Sequence, residues 1–231
     1  MSDELTQRYH DIRGRIDRAC ARAGRAPGGV RMVVVTKKHP VETILRLSEL
    51  GVTDIGENVV QELTAKAPTL LGKFTIHLVG HLQTNKINKV LPIVQWIQSV
   101  DRTNLIDAIE QRFSVGTPRL PVLVQVNTSG ESSKSGCAPE ECGSVCERVA
   151  ASAVLDLRGL MTIGPVGGQE RALRASFQAL RRLSENLTML PRPDLSMGMS
   201  DDFEWAIEEG ATIVRIGTAL LGDRTPAPGV R

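Results

Sequence analysis

The sequence is poor in aromatic rings, with two Trp, one Tyr and four Phe in 231 residues. So few rings leave little from which to build the base-stacking platform that single-stranded nucleic acid requires. Charge of one sign is not in excess either: 28 Lys and Arg face 26 Asp and Glu, for a formal net charge of +2. A surface that displaces counterions from phosphates needs a dense cationic patch, so no nucleic-acid partner is expected. Long apolar runs are missing as well. Nothing approaches the ~18 consecutive apolar residues of a membrane-crossing helix, and the longest uncharged stretches, such as Val90 to Val100, contain Pro92 and Gln95. No membrane partner is expected. The first fifteen residues mix Asp3, Glu4 and Asp11 with Arg8, Arg13 and Arg15 and lead into no apolar stretch; no secretory signal is read, and a cytoplasmic location is expected. The four cysteines, Cys20, Cys137, Cys142 and Cys146, show no CxxC spacing. Buried or idle thiols in a reducing compartment fit them better than a zinc site does.

What the sequence does have is a rhythm. Residues 4 to 24 read as an amphipathic helix rich in Arg and Ala, stopped by Gly24 and the Pro27-Gly28-Gly29 turn. Short β-branched runs then alternate with stretches of helical periodicity. The predicted strands are Arg31 to Thr36, Thr53 to Ile55, Thr75 to Val79, Val94 to Val100, Pro121 to Val126, Val154 to Ile163, Asp194 to Met197 and Thr212 to Ile216. Helical patterns such as Val41 to Leu50 and Arg102 to Phe113 lie between them. Continuous apolar runs, Val33-Val34-Val35 and Val122-Leu123-Val124 among them, suit parallel strands buried on both faces. Eight such units in about 200 residues point to a closed (β/α)₈ TIM barrel preceded by a helix; a doubly wound sheet more often stops at five or six strands. We expect residues 1–231 to form a single domain, with a frayed tail over residues 223–231.

Barrel enzymes build their sites at the C-terminal ends of the strands, so the residues just beyond each strand are the informative ones. Strand one ends in Lys37-Lys38-His39, strand two in Gly56-Glu57-Asn58, strand three in Gly80-His81-Leu82-Gln83-Thr84-Asn85-Lys86, and strand five runs to Lys134-Ser135-Gly136. Strand seven gives Gly198-Met199-Ser200-Asp201, and strand eight, with Arg215, ends in Gly217-Thr218. The last two loops lie where barrels commonly hold a phosphate. Gly198 and Gly217 would let the backbone approach an anion, and Ser200 and Thr218 would offer hydroxyls. A helix cap is the alternative use of Ser200-Asp201. A lysine at a buried strand end can act as a nucleophilic amine once desolvated. Lys37 and Lys38 both qualify, and the all-apolar Val33-Val34-Val35 gives no parity to choose between them. An imine-forming lysine beside a phosphate loop suggests pyridoxal 5'-phosphate, PLP.

Seven segments carry a resemblance: Val34-Val35-Thr36-Lys37, Ile55-Gly56-Glu57-Asn58, Gly80 to Lys86, Ser133-Lys134-Ser135-Gly136, Gly159-Leu160-Met161, Leu195 to Asp202, and Val214-Arg215-Ile216-Gly217-Thr218. In this order they closely resemble the family of pyridoxal phosphate homeostasis proteins, whose fold is similar to the isolated N-terminal barrel of alanine racemase. The resemblance implies that Lys37 forms the internal aldimine and that Ser200, Gly217 and Thr218 bind the phosphate. It also implies that Arg215 faces the pyridine nitrogen, and that Asn58 and Met161 line the ring. Val59 departs from the pattern, standing where a Tyr often follows the Asn.

An arginine at the pyridine nitrogen can only donate to an unprotonated ring, which makes a weak electron sink. A two-base racemase needs a second acid or base, which the resemblance places on a Tyr of an additional domain, whereas Tyr9 in the N-terminal helix is the one Tyr of this chain. The expectation is therefore a PLP carrier acting in cofactor homeostasis, with delivery to PLP-dependent apo-enzymes as a possible role. Lys86 and Lys134 are candidate relay amines, although solvated loop lysines are the simpler reading. The alternatives are a PLP-dependent racemase or lyase, and a sugar-phosphate enzyme with a Schiff-base lysine. His77 and His81 lack the sequence context of a zinc site, no metal is expected, and Glu57 reads as a general base or as a partner that orients Lys37 or another loop donor.

Overall fold

The structure, a computed structural model, describes residues 3–113, 118–131 and 134–222. Among them are eight strands: β1 (Arg31–Val35), β2 (Asp54–Glu57), β3 (Thr75–Leu78), β4 (Trp96–Val100), β5 (Leu120–Gln125), β6 (Leu155–Met161), β7 (Asp194–Ser196) and β8 (Ile213–Ile216). Each pairs in parallel with the next, and β1 pairs with β8, where Val33 lies opposite Arg215. The barrel is closed, as expected from the alternation of apolar runs and helices. The helices are α1 (Glu4–Arg22), α2 (Val41–Glu49), α3 (Val60–Leu70), α4 (Ile87–Val90), α5 (Thr103–Glu110), α6 (Cys142–Ala150), α7 (Glu170–Glu185), α8 (Phe203–Glu208) and α9 (Thr218–Leu221). No helix among the described residues is long and apolar enough to cross a membrane. The tail at 223–231 lies outside the described residues.

Helix α1 begins where Asp3 accepts a hydrogen bond from the Thr6 amide at 2.9 Å, satisfying one of the unpaired first-turn donors. It buries Ile12, Ile16, Ala19 and Cys20, a stripe at helical spacing, and packs on α8 and α9. Arg15 to Glu204 at 2.8 Å and Arg22 to Glu208 at 2.6 Å fasten it to α8.

Two strand boundaries differ from expectation for identifiable reasons. β2 runs on through Gly56-Glu57, because the Glu57 carboxylate finds buried partners and so need not reach water. β4 starts at Trp96, two residues late, because the Val94 amide still closes a helical turn on the Val90 carbonyl at 3.1 Å. Within the barrel, Val33, Trp96, Leu123, Met161 and Ile213 form a small apolar cluster, separate from the large core between strands and helices that takes in Val34. Val33 thus points inward and Val34 outward, which sets the alternation leading to the lysine pair.

Candidate functional site

A cleft of about 180 Å³ opens at the C-terminal end of the barrel. It is lined by Val35, Lys37, His39, Asn58, Val79, Ile163, Met199, Ser200, Asp201, Arg215, Gly217 and Thr218. Of the residues singled out from sequence, Lys37, Asn58, Ser200, Arg215, Gly217 and Thr218 come together here. Met161 does not line the cleft: it is fully buried in the barrel's inner cluster, and Ile163, two residues further on, occupies the wall.

The structure separates the two lysines that strand parity leaves equivalent. Lys37 lines the cleft, whereas Lys38 is exposed and adopts φ 63°, a left-handed conformation that costs a residue with a Cβ about 1–2 kcal/mol. Its amide donates to Glu62 Oε2 at 2.7 Å, which holds the turn in place. Burial pushes the Glu62 pKa up, but the Lys38 amide, Lys66 and Lys38 more than offset this and leave it below the ordinary carboxylate range. On the other side of the loop, Lys66 Nζ donates to the Thr36 carbonyl at 2.9 Å, to Glu57 Oε1 at 2.7 Å and to Glu62 Oε2 at 3.1 Å. The Thr36 hydroxyl donates to the same Glu57 oxygen at 2.7 Å. Lys66, paired with the buried Glu57 and the half-buried Glu62, therefore ties both residues that flank Lys37: Thr36 directly, and Lys38 through Glu62. Sequence reading named Glu57 but missed Lys66, which lies on α3 and carries no motif signal.

At the opposite wall, Ser200 Oγ accepts from the Gly217 amide at 3.3 Å and from the Ala219 amide at 3.2 Å, leaving its hydroxyl hydrogen to donate to an oxygen in the cleft. Ser200 is thus bound to the start of α9 and does not cap α8. Asp202, at the α8 entry, takes the Met199 amide, and burial raises its pKa above the ordinary value. The two glycines expected to admit an anion differ. A Cβ on Gly217 would meet only ordinary contacts, which keeps the backbone approachable. Gly198 sits at φ +93°, and a Cβ there would come within 2.6 Å of the Ala206 Cβ and 2.9 Å of the Phe203 Cα. Gly198 is required for the docking of α8.

Arg215 rises from β8 into the barrel and is 4% exposed. It donates to Ser196 Oγ at 2.7 Å and to the Thr162 carbonyl at 2.8 Å. Burial pushes its pKa down to about 10, opposed by Asp202, so it remains a cation at neutral pH. Asn58 Oδ1 is buried without a hydrogen-bond partner among the described residues, an acceptor in want of a donor. Gly80 makes that position possible: a Cβ there would fall 2.0 Å from the Asn58 carbonyl oxygen, so only glycine lets the loop after β3 cross so closely.

Lys134 is not solvated. Its side chain is 13% exposed, donates to the Gly164 carbonyl and pairs with Glu131 at 3.1 Å. Lys86 is half-buried in the short turn Thr84–Lys86. The two histidines set aside as metal ligands point apart: His77 is sealed inside the barrel, and His81 is exposed, 3.5 Å from Asp101.

Residues 9–225 match the domain family described as "Alanine racemase, N-terminal domain". The chain is 42% identical over 221 residues to the pyridoxal phosphate homeostasis protein of Pseudomonas aeruginosa, covering 95% of this chain and 96% of that one. It is 38% identical to the protein of the same name from Bos taurus, covering 92% of this chain and 85% of that one. Among solved structures it is similar to PipY of Synechococcus elongatus with PLP bound, at a TM-score of 0.81 and 30% identity, over 95% of this chain and 100% of that one. Alanine racemase from E. faecalis shares the fold at a TM-score of 0.74 and 18% identity, over 93% of this chain and 57% of that one. With relatives at this level of identity along most of both sequences, the chain belongs to the family of pyridoxal phosphate homeostasis proteins, which is built on the alanine racemase N-terminal domain.

Proposed function

We propose that this chain binds pyridoxal 5'-phosphate in the cleft, holds it as an imine on Lys37, and releases it to amines that exchange with the lysine. The observation behind this reading is that one cleft gathers an amine, the Ser200 and Thr218 hydroxyls beside the start of α9, and a buried cation. Lys37 supplies the amine, whose Nζ condenses with an aldehyde to form a C=N bond with loss of water. Ser200, Thr218 and the backbone at Gly217 would hold the phosphate. Asn58 and Ile163 would flank the ring, where the unsatisfied Asn58 Oδ1 would accept from a hydroxyl donor. PLP, when bound, supplies a reactive aldehyde and an electron sink whose strength depends on protonation of its ring nitrogen. Arg215 has no acceptor and keeps its charge, so at the ring nitrogen it would donate to the unprotonated form and keep that sink weak.

The same geometry favours carriage over catalysis. In the racemase resemblance the second acid or base opposite the lysine is a Tyr; Tyr9, the single tyrosine, lies on α1 and not in the cleft wall, whose other acid–base side chains are His39 and Asp201. An incoming amine can attack the imine and free Lys37, which is a transfer chemistry suited to cofactor homeostasis and to delivery into PLP-dependent apo-enzymes. The test is borohydride reduction of the PLP-loaded protein, then mass spectrometry. The expected result is one phosphopyridoxyl group, on Lys37, and its absence in Lys37→Ala. A label on Lys38 or Lys134 with Lys37 bare would overturn the assignment. Exchange of amino-acid α-protons with deuterated solvent at an enzymatic rate would overturn the carrier reading.

A further inference from the structure

We propose that Ser196, Gln98 and His77 are positioning residues for Arg215, forming with Asp54 a one-directional hydrogen-bond chain through the barrel interior that sets how the guanidinium faces the cleft. The inference rests on the cofactor reading above and adds to it the part of the barrel that controls the ring-nitrogen end. Arg215 donates to Ser196 Oγ at 2.7 Å, Ser196 Oγ to Gln98 Oε1 at 2.6 Å, Gln98 Nε2 to His77 Nδ1 at 3.0 Å, and His77 Nε2 to Asp54 Oδ1 at 2.9 Å. The chain crosses five strands, β8, β7, β4, β3 and β2, and its three middle members are fully buried.

The two ends dictate the polarity. A guanidinium can only donate and a carboxylate can only accept. Ser196 has a single hydrogen, which must go to Gln98 because Arg215 offers no acceptor. Gln98 must then turn its carbonyl oxygen to Ser196 and its NH₂ to the histidine. His77 Nδ1 is thereby the acceptor, so the proton of the neutral ring sits on Nε2 and points at Asp54. If the Gln98 amide were turned over, both it and Arg215 would donate to Ser196, and the serine hydrogen would be stranded in the core.

The surroundings reinforce this arrangement. His77 stacks on Trp96 with ring centroids 5.4 Å apart and planes 20° apart, which fixes the ring plane. Burial lowers the His77 pKa and keeps the ring neutral. For Asp54, burial pushes the pKa up, but hydrogen bonds from His77 and Thr53 and the nearby Arg31 charge bring it below its ordinary value. Barrel interiors are usually filled by branched apolar side chains. Here a row of polar ones occupies that space, each satisfied by the next and ending on the residue that faces the cofactor. Reversing or breaking any link leaves a buried polar atom unpaired and allows Arg215 to turn toward it.

Two measurements test the proposal. In the cofactor-free protein, long-range nitrogen–proton NMR of His77 should show a neutral ring protonated on Nε2; protonation on Nδ1, or an imidazolium, overturns the chain. In the PLP-loaded protein, affinity and imine absorbance are compared for wild type, Gln98→Met, Arg215→Met and the double variant. Gln98→Met should weaken binding about tenfold, the scale of one hydrogen bond to a charged group, and shift the absorbance maximum. Added to Arg215→Met it should do nothing further, because it acts through that residue. Should Gln98→Met fail to fold, Ser196→Ala takes its place in the cycle. Wild-type affinity and spectrum in the variant, whatever its melting temperature, or losses that multiply in the double variant, overturn the proposal. A wild-type protein that forms no imine overturns the cofactor reading and this inference with it, and is recognisable because it fails without any substitution.

Discussion

Lys66→Met isolates the clamp behind Lys37. Lys66 Nζ lies 2.7 Å from Glu57 Oε1, and the Glu57 side chain is 1% exposed. At that distance, with an effective dielectric constant of about 20, the attraction is about 6 kcal/mol. Taking both ions out of water costs several kcal/mol each, so the pair as a whole contributes little net stability. Removing one partner is a different matter. Methionine fills the lysine's volume but leaves the Glu57 carboxylate with only the Thr36 hydroxyl, and Glu57 Oε2 already lacks a hydrogen-bond partner among the described residues. The expected loss is about 3–5 kcal/mol in urea denaturation monitored by circular dichroism, or roughly 10 °C in Tm for a chain of this size. Lys66→Met combined with Glu57→Leu should recover most of that loss, because no charge is then buried alone. A residual deficit of about 1 kcal/mol would remain, because the Thr36 hydroxyl loses its Glu57 acceptor and the Thr36 carbonyl keeps only the His39 amide. PLP affinity should fall in both variants, since the loop that presents Lys37 loses its tether. A single variant within about 1 kcal/mol of wild type, or a double variant no better than the single, would refute the claim that this pair is held by mutual compensation in the interior.

Three further substitutions or titrations probe other parts of the molecule. Gly198→Ala should destabilise the protein by about 2–3 kcal/mol in the same denaturation assay, since the new Cβ combines a left-handed backbone with a 2.6 Å approach to α8. For Glu208, burial pushes the pKa up, but Arg174 and Arg22 more than offset it and hold it below its ordinary 4.5. Its contribution is therefore fully present above pH 4.5 and is lost as pH falls through the lowered folded-state value. Glu208→Gln should cost about 1 kcal/mol at neutral pH, with the gap to wild type closing below that point in urea titrations at successive pH values. All four cysteines are buried, and burial pushes the Cys137 thiol up to about 12. At about pH 8, where an ordinary thiol near 8.5 is already partly thiolate, the folded protein should resist a disulfide-exchange reagent, whereas the unfolded chain should titrate four thiols.

Much of the site could be read along the chain because its chemistry sits next to strand ends. The runs around Val33 and Val122 announce strands buried on both faces, and in such a fold the residues just beyond each strand must lie at one rim of the barrel. Lys37, Asn58, Ser200, Arg215, Gly217 and Thr218, which line the cleft, are legible in that way or through the family resemblance that those segments carry. The misplaced members share a different cause. Met161 and Ile163 have the same parity on β6 and its extension, and only the depth of the cleft decides which one reaches it. Gly198 has the local signature of a ligand-approach glycine, and only the packing of α8 shows what its missing Cβ makes room for.

The sequence by itself determined the alternation of elements, the barrel they form and the set of polar strand ends, because hydrophobic period and turn chemistry are local properties of the chain. Only the tertiary structure decided that Lys37 faces inward and Lys38 outward, that Lys66 answers Glu57, and that Ser196 reaches Gln98 across 98 positions of sequence. Those outcomes depend on the register in which the eight strands close and on which buried polar atoms that closure brings within hydrogen-bonding distance. A buried donor or acceptor takes whatever partner the fold places beside it, and no local pattern of residues records that choice.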